Sequence, residues 1–193
     1  MKKLFFFLSL FYSLIFVSSC SEQSGTSSQV ELRFQYTKQE IYASNQYAIW
    51  IEDEQGKLVK TLQVCSFTTK GRSRNGEPLV RGYIKRPLSL PTWVRRAHPD
   101  DLSDEQLDAI TVATPVENGV QTVVWDMTDS EGRRVKAGTY QLVMEATLFQ
   151  ECTVTYRGRF TDSDCGEILM ERTITMDNAE REGMITEVSA RIK

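Results

Sequence analysis

Residues 123–149, VVWDMTDSEGRRVKAGTYQLVMEATLF, decide the fold. The segment opens with β-branched and aromatic residues, turns at Asp129-Ser130-Glu131-Gly132, and resumes as a long strand from Thr139 to Phe149. Glycine suits the end of such a turn because it adopts the left-handed backbone that other residues resist. The same device stands upstream. Tyr47, Ile49 and Ile51 share one strand face with Ala48 and Trp50 on the other, and Asp53-Glu54-Gln55-Gly56 then returns the chain into KLVKTLQVCSFTT. DEQGKLV and DSEGRRV read as two copies of one antiparallel hairpin turn.

Working outward, Leu32, Phe34 and Tyr36 alternate with polar residues in a first strand. Further strands are expected over 151–160, 167–175 and 184–192, the last with Met184, Val188, Ala190 and Ile192 inward. Period-two alternation over about seven or eight segments, with few helix signals, gives the fold class: all-β, an Ig-like antiparallel β-sandwich. Between the hairpins lies an irregular insertion, about 70–118, carrying Pro87, Pro91, Pro99 and Pro115. One short helix is expected there, because Ser103 followed by Gln106 forms a capping-box pattern ahead of the helical stretch DEQLDAI. A long insertion in a compact domain is where functional side chains are sought first.

The chain begins MKKLFFFLSLFYSLIFVSSC. Lys2 and Lys3 form a positive start, and Leu4 to Val17 an uncharged apolar run of about fourteen residues, short of the roughly twenty that span a bilayer. An ordinary secretory signal has this shape too, but Val17-Ser18-Ser19-Cys20 resembles the lipobox of bacterial lipoproteins, which places a lipidated Cys20 after a signal peptide over 1–19. Several acyl chains on one cysteine anchor durably where a single chain does not. Ser21 after Cys20 resembles lipoproteins sorted to the outer membrane, and 20–29 reads as a flexible Ser/Gly leash before a domain over 30–193.

Removing the signal leaves about 173 residues, enough for one domain with a core. The net charge of -3 includes Lys2 and Lys3, so the exported chain carries about -5, which argues against nucleic acid as a partner. Charge is uneven: eight Lys or Arg stand between Lys70 and Arg96 against Glu77 alone, then nine Asp or Glu stand between Ala97 and Gly132 with no Lys or Arg. Either these stretches neutralise each other across the fold or the basic one meets an anionic partner.

With Cys20 lipidated, Cys65, Cys152 and Cys165 remain, and Cys152 could pair with Cys165 in an oxidising envelope. Three cysteines and one distant histidine, His98, lack the spacing of a zinc site, so no metal is expected. His98 sits in Ala-His-Pro-Asp-Asp without a partner nucleophile nearby in sequence, and no catalytic residue is expected. Asp100/Asp101, Asp104/Asp108 and Asp126/Asp129/Glu131 read as helix-start and turn chemistry. Trp50 and Trp125 fall in strand patterns, whereas Trp93, with Arg95 and Arg96, offers a ligand surface within the insertion.

YAIWIEDEQGKLVKTL, LPTWVRRA, LDAITVATP and VVWDMTDSEGRRVKAGTYQLVMEAT, in that order, resemble a domain-of-unknown-function family of predicted bacterial periplasmic proteins. The second half is also similar to the Ig-like domain of flagellar hook-capping proteins, with its Trp-Asp, Asp-x-x-Gly and Gly-Thr-Tyr pattern. The first resemblance implies export, an Ig-like sandwich, no established enzyme activity, and genes found near flavin-transfer and respiratory genes. Asp108-Ala109-Ile110-Thr111-Val112-Ala113-Thr114 is similar to the motif whose last hydroxyl is esterified to FMN in exported flavoproteins, which would make Thr114 the acceptor with Asp108 and Thr111 beside it; Val112 replaces the motif's glycine. The expectation is therefore a non-catalytic, membrane-tethered binding or assembly module with an envelope protein partner and no cofactor; the alternative is a flavin carrier with FMN at Thr114.

Overall fold

Alternation builds strands, and the strands build two sheets. The computed structural model describes residues 28–39, 45–73, 78–148, 152–175 and 183–193. The signal, Cys20 and the leash through residue 27 lie outside the described residues, as do Arg74, Glu77 and Phe149. The strands are β1 (Val30–Tyr36), β2 (Gln46–Asp53), β3 (Leu58–Cys65), β4 (Thr111–Val112), β5 (Gly119–Trp125), β6 (Thr139–Leu148), β7 (Cys152–Thr161), β8 (Gly166–Ile168), β9 (Met170–Ile174) and β10 (Ile185–Ile192). One sheet runs β5-β1-β10-β8 and the other β4-β3-β2-β6-β7-β9. Every pairing is antiparallel except the two-residue contact of β4 with β3.

The fold is thus an all-β sandwich, and the apolar alternates of both sheets meet inside it. Val30, Leu32, Phe34 and Tyr36 of β1 pack on Tyr47, Ile49 and Ile51 of β2 and Leu142, Met144 and Ala146 of β6. Aromatic edges lock the two ends: Phe34 meets Tyr47 at 5.5 Å at one, and Trp125 meets Tyr140 at 5.6 Å and Phe160 at 6.0 Å at the other. Each such side chain contributes about 1.5–3 kcal/mol by leaving water.

The two turns share one local structure but not one setting: the first joins the paired strands β2 and β3, whereas the second, expected as a like hairpin, carries the chain from β5 in one sheet to β6 in the other, with an isolated Thr128–Arg134 bridge across it. Asp53 Oδ1 accepts from the amides of Gln55 and Lys57 at 3.0 and 2.9 Å; Asp129 Oδ1 accepts from those of Glu131 and Arg133 at 2.9 and 3.0 Å. Gly56 and Gly132 close them at φ 75° and 77°.

Three further features differ from the sequence reading. The strand expected over 167–175 is two: β8 pairs with β10 in one sheet, the chain crosses at exposed Leu169, and β9 pairs with β7 in the other. Gly158 of β7 makes room for this crossing, since a Cβ there would sit 2.5 Å from Met170 Sδ and 2.6 Å from Ile168 Cγ2. In β10 a register shift accompanies the left-handed Glu187, so Ile185 joins Met184, Ala190 and Ile192 in the core while Val188 is half-buried. Helix α1 (Ser66–Lys70) leads into the insertion, which among the described residues holds three short helices rather than one: α2 (Gly82–Lys85), α3 (Pro91–Ala97) and α4 (Asp104–Ile110), with a 3-10 turn over Pro99–Asp101. Only α4 carries the capping box, with Ser103 Oγ accepting from Gln106 N at 3.2 Å and Gln106 Oε1 from Ser103 N at 2.8 Å. The others span four to seven residues, too short for helical periodicity to show in sequence.

Candidate functional site

Helices α1 to α3 lie on the outer face of the six-stranded sheet, which explains why β2 is buried on both faces. There Ala48, Trp50, Val64 and Val143 from the sheet meet Leu90, Trp93 and Ala97 from the insertion. Unlike the inner core, this layer holds buried polar groups: Gln46, Glu52, Thr61, Thr68, Ser89 and Glu145 among them.

Glu145, fully buried on β6, is the centre of the clasp. Its Oε1 accepts from Thr92 N at 3.0 Å and its Oε2 from Trp93 N at 2.8 Å, so a strand carboxylate caps the first turn of α3. That turn has no cap from its own segment, and it starts at Leu90 in a left-handed conformation, φ 53°, followed by Pro91. Burial pushes the Glu145 carboxyl above its ordinary range, and the two amides offset this only in part. Two residues along β6, Thr147 Oγ1 accepts from Leu90 N at 3.2 Å. Trp93 Nε1 donates to Thr61 Oγ1 at 3.1 Å. The far end of α3 is tied by Glu52, whose Oε1 accepts from Arg96 Nε at 3.1 Å and Trp50 Nε1 at 2.9 Å while its Oε2 accepts from Arg157 Nη1 at 3.3 Å.

Helices α1 and α2 meet through two glycines. A Cβ on Gly82 would lie 1.8 Å from the Phe67 carbonyl oxygen, and one on Gly71 1.8 Å from that of Val80. The Arg86 guanidinium stacks over the Phe67 ring at 4.9 Å. Beneath them Thr68 Oγ1 lies 3.1 Å from Gln46 Oε1 and 3.2 Å from Ser89 Oγ.

Several sequence expectations change here. Trp93 is fully buried with its ring in this second core, so it offers no stacking surface; Arg95 beside it is exposed, and Arg96 is spent on Glu52. Cys152 and Cys165 cannot pair as placed: β7 separates them by about 30 Å along the strand, against the roughly 4.4–6.8 Å between α-carbons that a disulfide allows. Cys65 is buried at the end of β3, and burial pushes its thiol up to about 11 although Tyr47 N donates to it at 3.4 Å. A thiol held protonated in this way is no nucleophile.

His98 is exposed, at φ 43°, and its backbone joins α3 to the 3-10 turn. The acidic and basic stretches do meet across the fold: Arg81 pairs with Asp104 at 3.0 Å, Lys70 with Asp108 at 2.9 Å, and Tyr83 Oη donates to Asp100 at 2.6 Å. Asp126 holds Lys60, and Asp129 and Glu131 hold Arg133. Among the described residues no three His, Cys, Asp or Glu side chains group in a way that could hold a metal ion.

The proposed flavin-acceptor segment does not fit that role in this arrangement. Thr114 is half-buried and donates to the Asn45 carbonyl at 3.5 Å, Thr111 Oγ1 donates to the Leu107 carbonyl at 2.6 Å and touches Thr69 Oγ1, and Asp108 is held by Lys70. Val112, where the motif has glycine, is fixed in β4 against Cys65.

Sequence reasoning missed Glu52 and Glu145. The signal was present, because each interrupts a strongly apolar run, in AIWIED and LVMEATL, where an acid is tolerated only if a partner covers it.

The structure thus defines an all-β sandwich whose six-stranded sheet is clasped on its outer face by helices, with its buried acids bound to partners within the fold. The chain belongs to the predicted periplasmic protein family DUF2271, whose model matches residues 27–161. The match ends with β7, so β8 to β10 lie beyond it although β10 is the inner neighbour of β1. No curated protein and no solved structure matches the chain.

Proposed function

We propose that this periplasmic chain is a lipid-tethered, non-catalytic module of the bacterial envelope that binds a protein partner or supports an assembly, held at the outer membrane through Cys20 and without a resident cofactor. The observation that carries the reading is how the acidic residues are used. Glu52 and Glu145, the acids buried under the insertion, each hold structural donors inside the fold, and Asp104 and Asp108 pair with Arg81 and Lys70 at its surface, which supports a reading in which these acids serve the structure. What supports the tether is the order of parts: a positive start, a short apolar run, Val-Ser-Ser-Cys, then a polar leash leading into β1.

The test uses metabolic labelling with a palmitate analogue in the native envelope. The wild-type chain is expected to take the label and fractionate with membranes, and Cys20→Ser to lose both. A labelled Cys20→Ser chain, or an unlabelled soluble wild type, defeats the tether. Intact mass of the same sample reads the cofactor question, since an FMN adduct on Thr114 would overturn the cofactor-free reading.

A further inference from the structure

We infer that the open edge of β5 docks a second copy of this chain, which pairs with it antiparallel about a two-fold axis through Thr122 and joins the two four-stranded sheets into one. The inference rests on the assembly reading above, for which it names a partner, and does not need the tether.

Strand β5 ends its sheet. On one side β1 pairs with it along all seven residues without a register shift, and among the described residues no strand pairs with the other side. The direction of its backbone groups follows from β1. Gln29 and Lys193 exchange both backbone bonds, at 3.2 and 2.9 Å, so odd-numbered residues of β1 turn their N–H and C=O groups to β10 and even-numbered ones turn theirs to β5. Val30, Leu32, Phe34 and Tyr36 therefore bond Trp125, Val123, Gln121 and Gly119, which leaves the backbone groups of Val120, Thr122 and Val124 pointing to the open edge. The same three side chains are exposed, Val120 at 54% and Val124 at 48%.

Sheet edges are normally blunted against strand addition, and the other edges among the described residues are. β8 is three residues long, and β10 beyond it shifts register around left-handed Glu187. β4 is two residues long, and the rest of β3 shifts register twice against β2 and carries Lys60. β9 presents Glu171 and Arg172. Only β5, GVQTVVW, offers a full-length edge with no charge, no proline and no bulge.

A row of open backbone donors and acceptors is satisfied by another strand, and the order of side chains says which one. Valine stands two residues to either side of Thr122, so the antiparallel register that overlaps the whole of β5 with its copy opposes Thr122 to Thr122 and Val120 to Val124. Both are favourable cross-strand pairs, and each of these residues donates one backbone bond and accepts one. One step further along the same face Asn118 meets Asp126, so no like charges oppose. The pair is closed, because each copy uses the edge that the other needs. A single strand edge buries less than the roughly 1,200 Å² of a stable interface, so association is expected to be weak and to rise with concentration.

The experiment follows the full chain in detergent by sedimentation over a concentration series reaching about 1 mM, with hydrogen exchange on the same samples. Wild type is expected to pass from monomer to dimer while the amides of Val120, Thr122 and Val124 slow about tenfold. Thr122→Lys sets two cations against each other on the axis, and Thr122→Pro removes an edge N–H that the β1 ladder does not use. Each is expected to stay monomeric, with a slow Val123 amide reporting that the ladder to Leu32 is intact. Mixing Thr122→Lys with Thr122→Glu should restore the dimer, because opposite charges then meet. A wild type that is monomeric throughout, a dimer that survives in both variants, or a mixture that fails to recover overturns the pairing. Edge amides that slow only when an envelope protein extract is added also overturn it, in favour of a strand from another protein. The tether is read separately: a monomeric wild type that still takes the palmitate label defeats the dimer alone, and an unlabelled dimer defeats the anchor alone.

Discussion

The six-stranded sheet is buried on both faces across β2 and β6, yet the two faces are held by different chemistry. Inside, Tyr47, Ile49, Ile51, Leu142 and Met144 meet the other sheet through apolar contact. Outside, Trp50 and Val143 meet Trp93 and Leu90, but orientation comes from carboxylates and hydroxyls that seize named donors on α3. Apolar contact is tolerant of sliding, whereas a buried hydrogen bond has one satisfactory position, so the inner face supplies cohesion and the outer face fixes where the insertion sits.

Breaking the inner face should cost most. Trp125→Ala removes the ring that joins Tyr140 and Phe160, and a loss of about 3–5 kcal/mol is expected in urea unfolding of the whole domain. Glu145→Ala tests the outer face: it orphans the amides of Thr92 and Trp93, and about 2–4 kcal/mol should be lost, with hydrogen exchange rising in α3 ahead of β2 and β6. If α3 and the strands exchange together, the two faces are one cooperative unit and the contrast drawn here fails. Gly82→Ala should cost about 1–3 kcal/mol by driving α2 off the Phe67 carbonyl, read as faster proteolysis within 78–90.

A smaller effect is carried by pH. The folded Glu145 carboxyl sits above its unfolded value, so the native state holds that proton more tightly than the unfolded chain does. Its contribution is therefore present at low pH and declines as pH rises from the ordinary carboxylate range, about 4.3, toward the folded value. The difference in unfolding free energy between wild type and Glu145→Gln should fall across that window. A difference that rises instead would mean the carboxylate is stabilised, not penalised, by its site. Least of all, Asp53→Ala and Asp129→Ala should each lower the thermal midpoint by a few degrees, and by similar amounts, because both turns lose the same pair of amide acceptor bonds.

The contrast also explains what was legible. Strands with one wet face, such as β1, announce themselves by alternation, and the repeated Asp-x-x-Gly turns fix where β2 ends and β6 is approached. The capping box of α4 was readable because both partners are local. Helix α3 was not, because its cap comes from Glu145, some fifty residues away on a strand, and sequence spacing carries no trace of that bond. Trp93 looked like a surface ligand site for the same reason: nothing near it in sequence shows that Trp50, Val143 and Thr61 enclose it. The residues expected to bind flavin could be located but not judged by motif alone, since their hydroxyl partners, Asn45, Leu107 and Thr69, become visible only when the sheet is assembled.

The place of β1 in its sheet has a mechanical meaning. The leash leads directly into β1, and β1 lies between β5 and β10, paired along nearly its whole length with both. Tension transmitted through the residues ahead of Val30 would therefore act along two hydrogen-bonded ladders at once, in shear, and no single bond could be peeled in turn. Under the tether proposed above, a load on the domain would meet both ladders together instead of unravelling the sheet from the point of attachment.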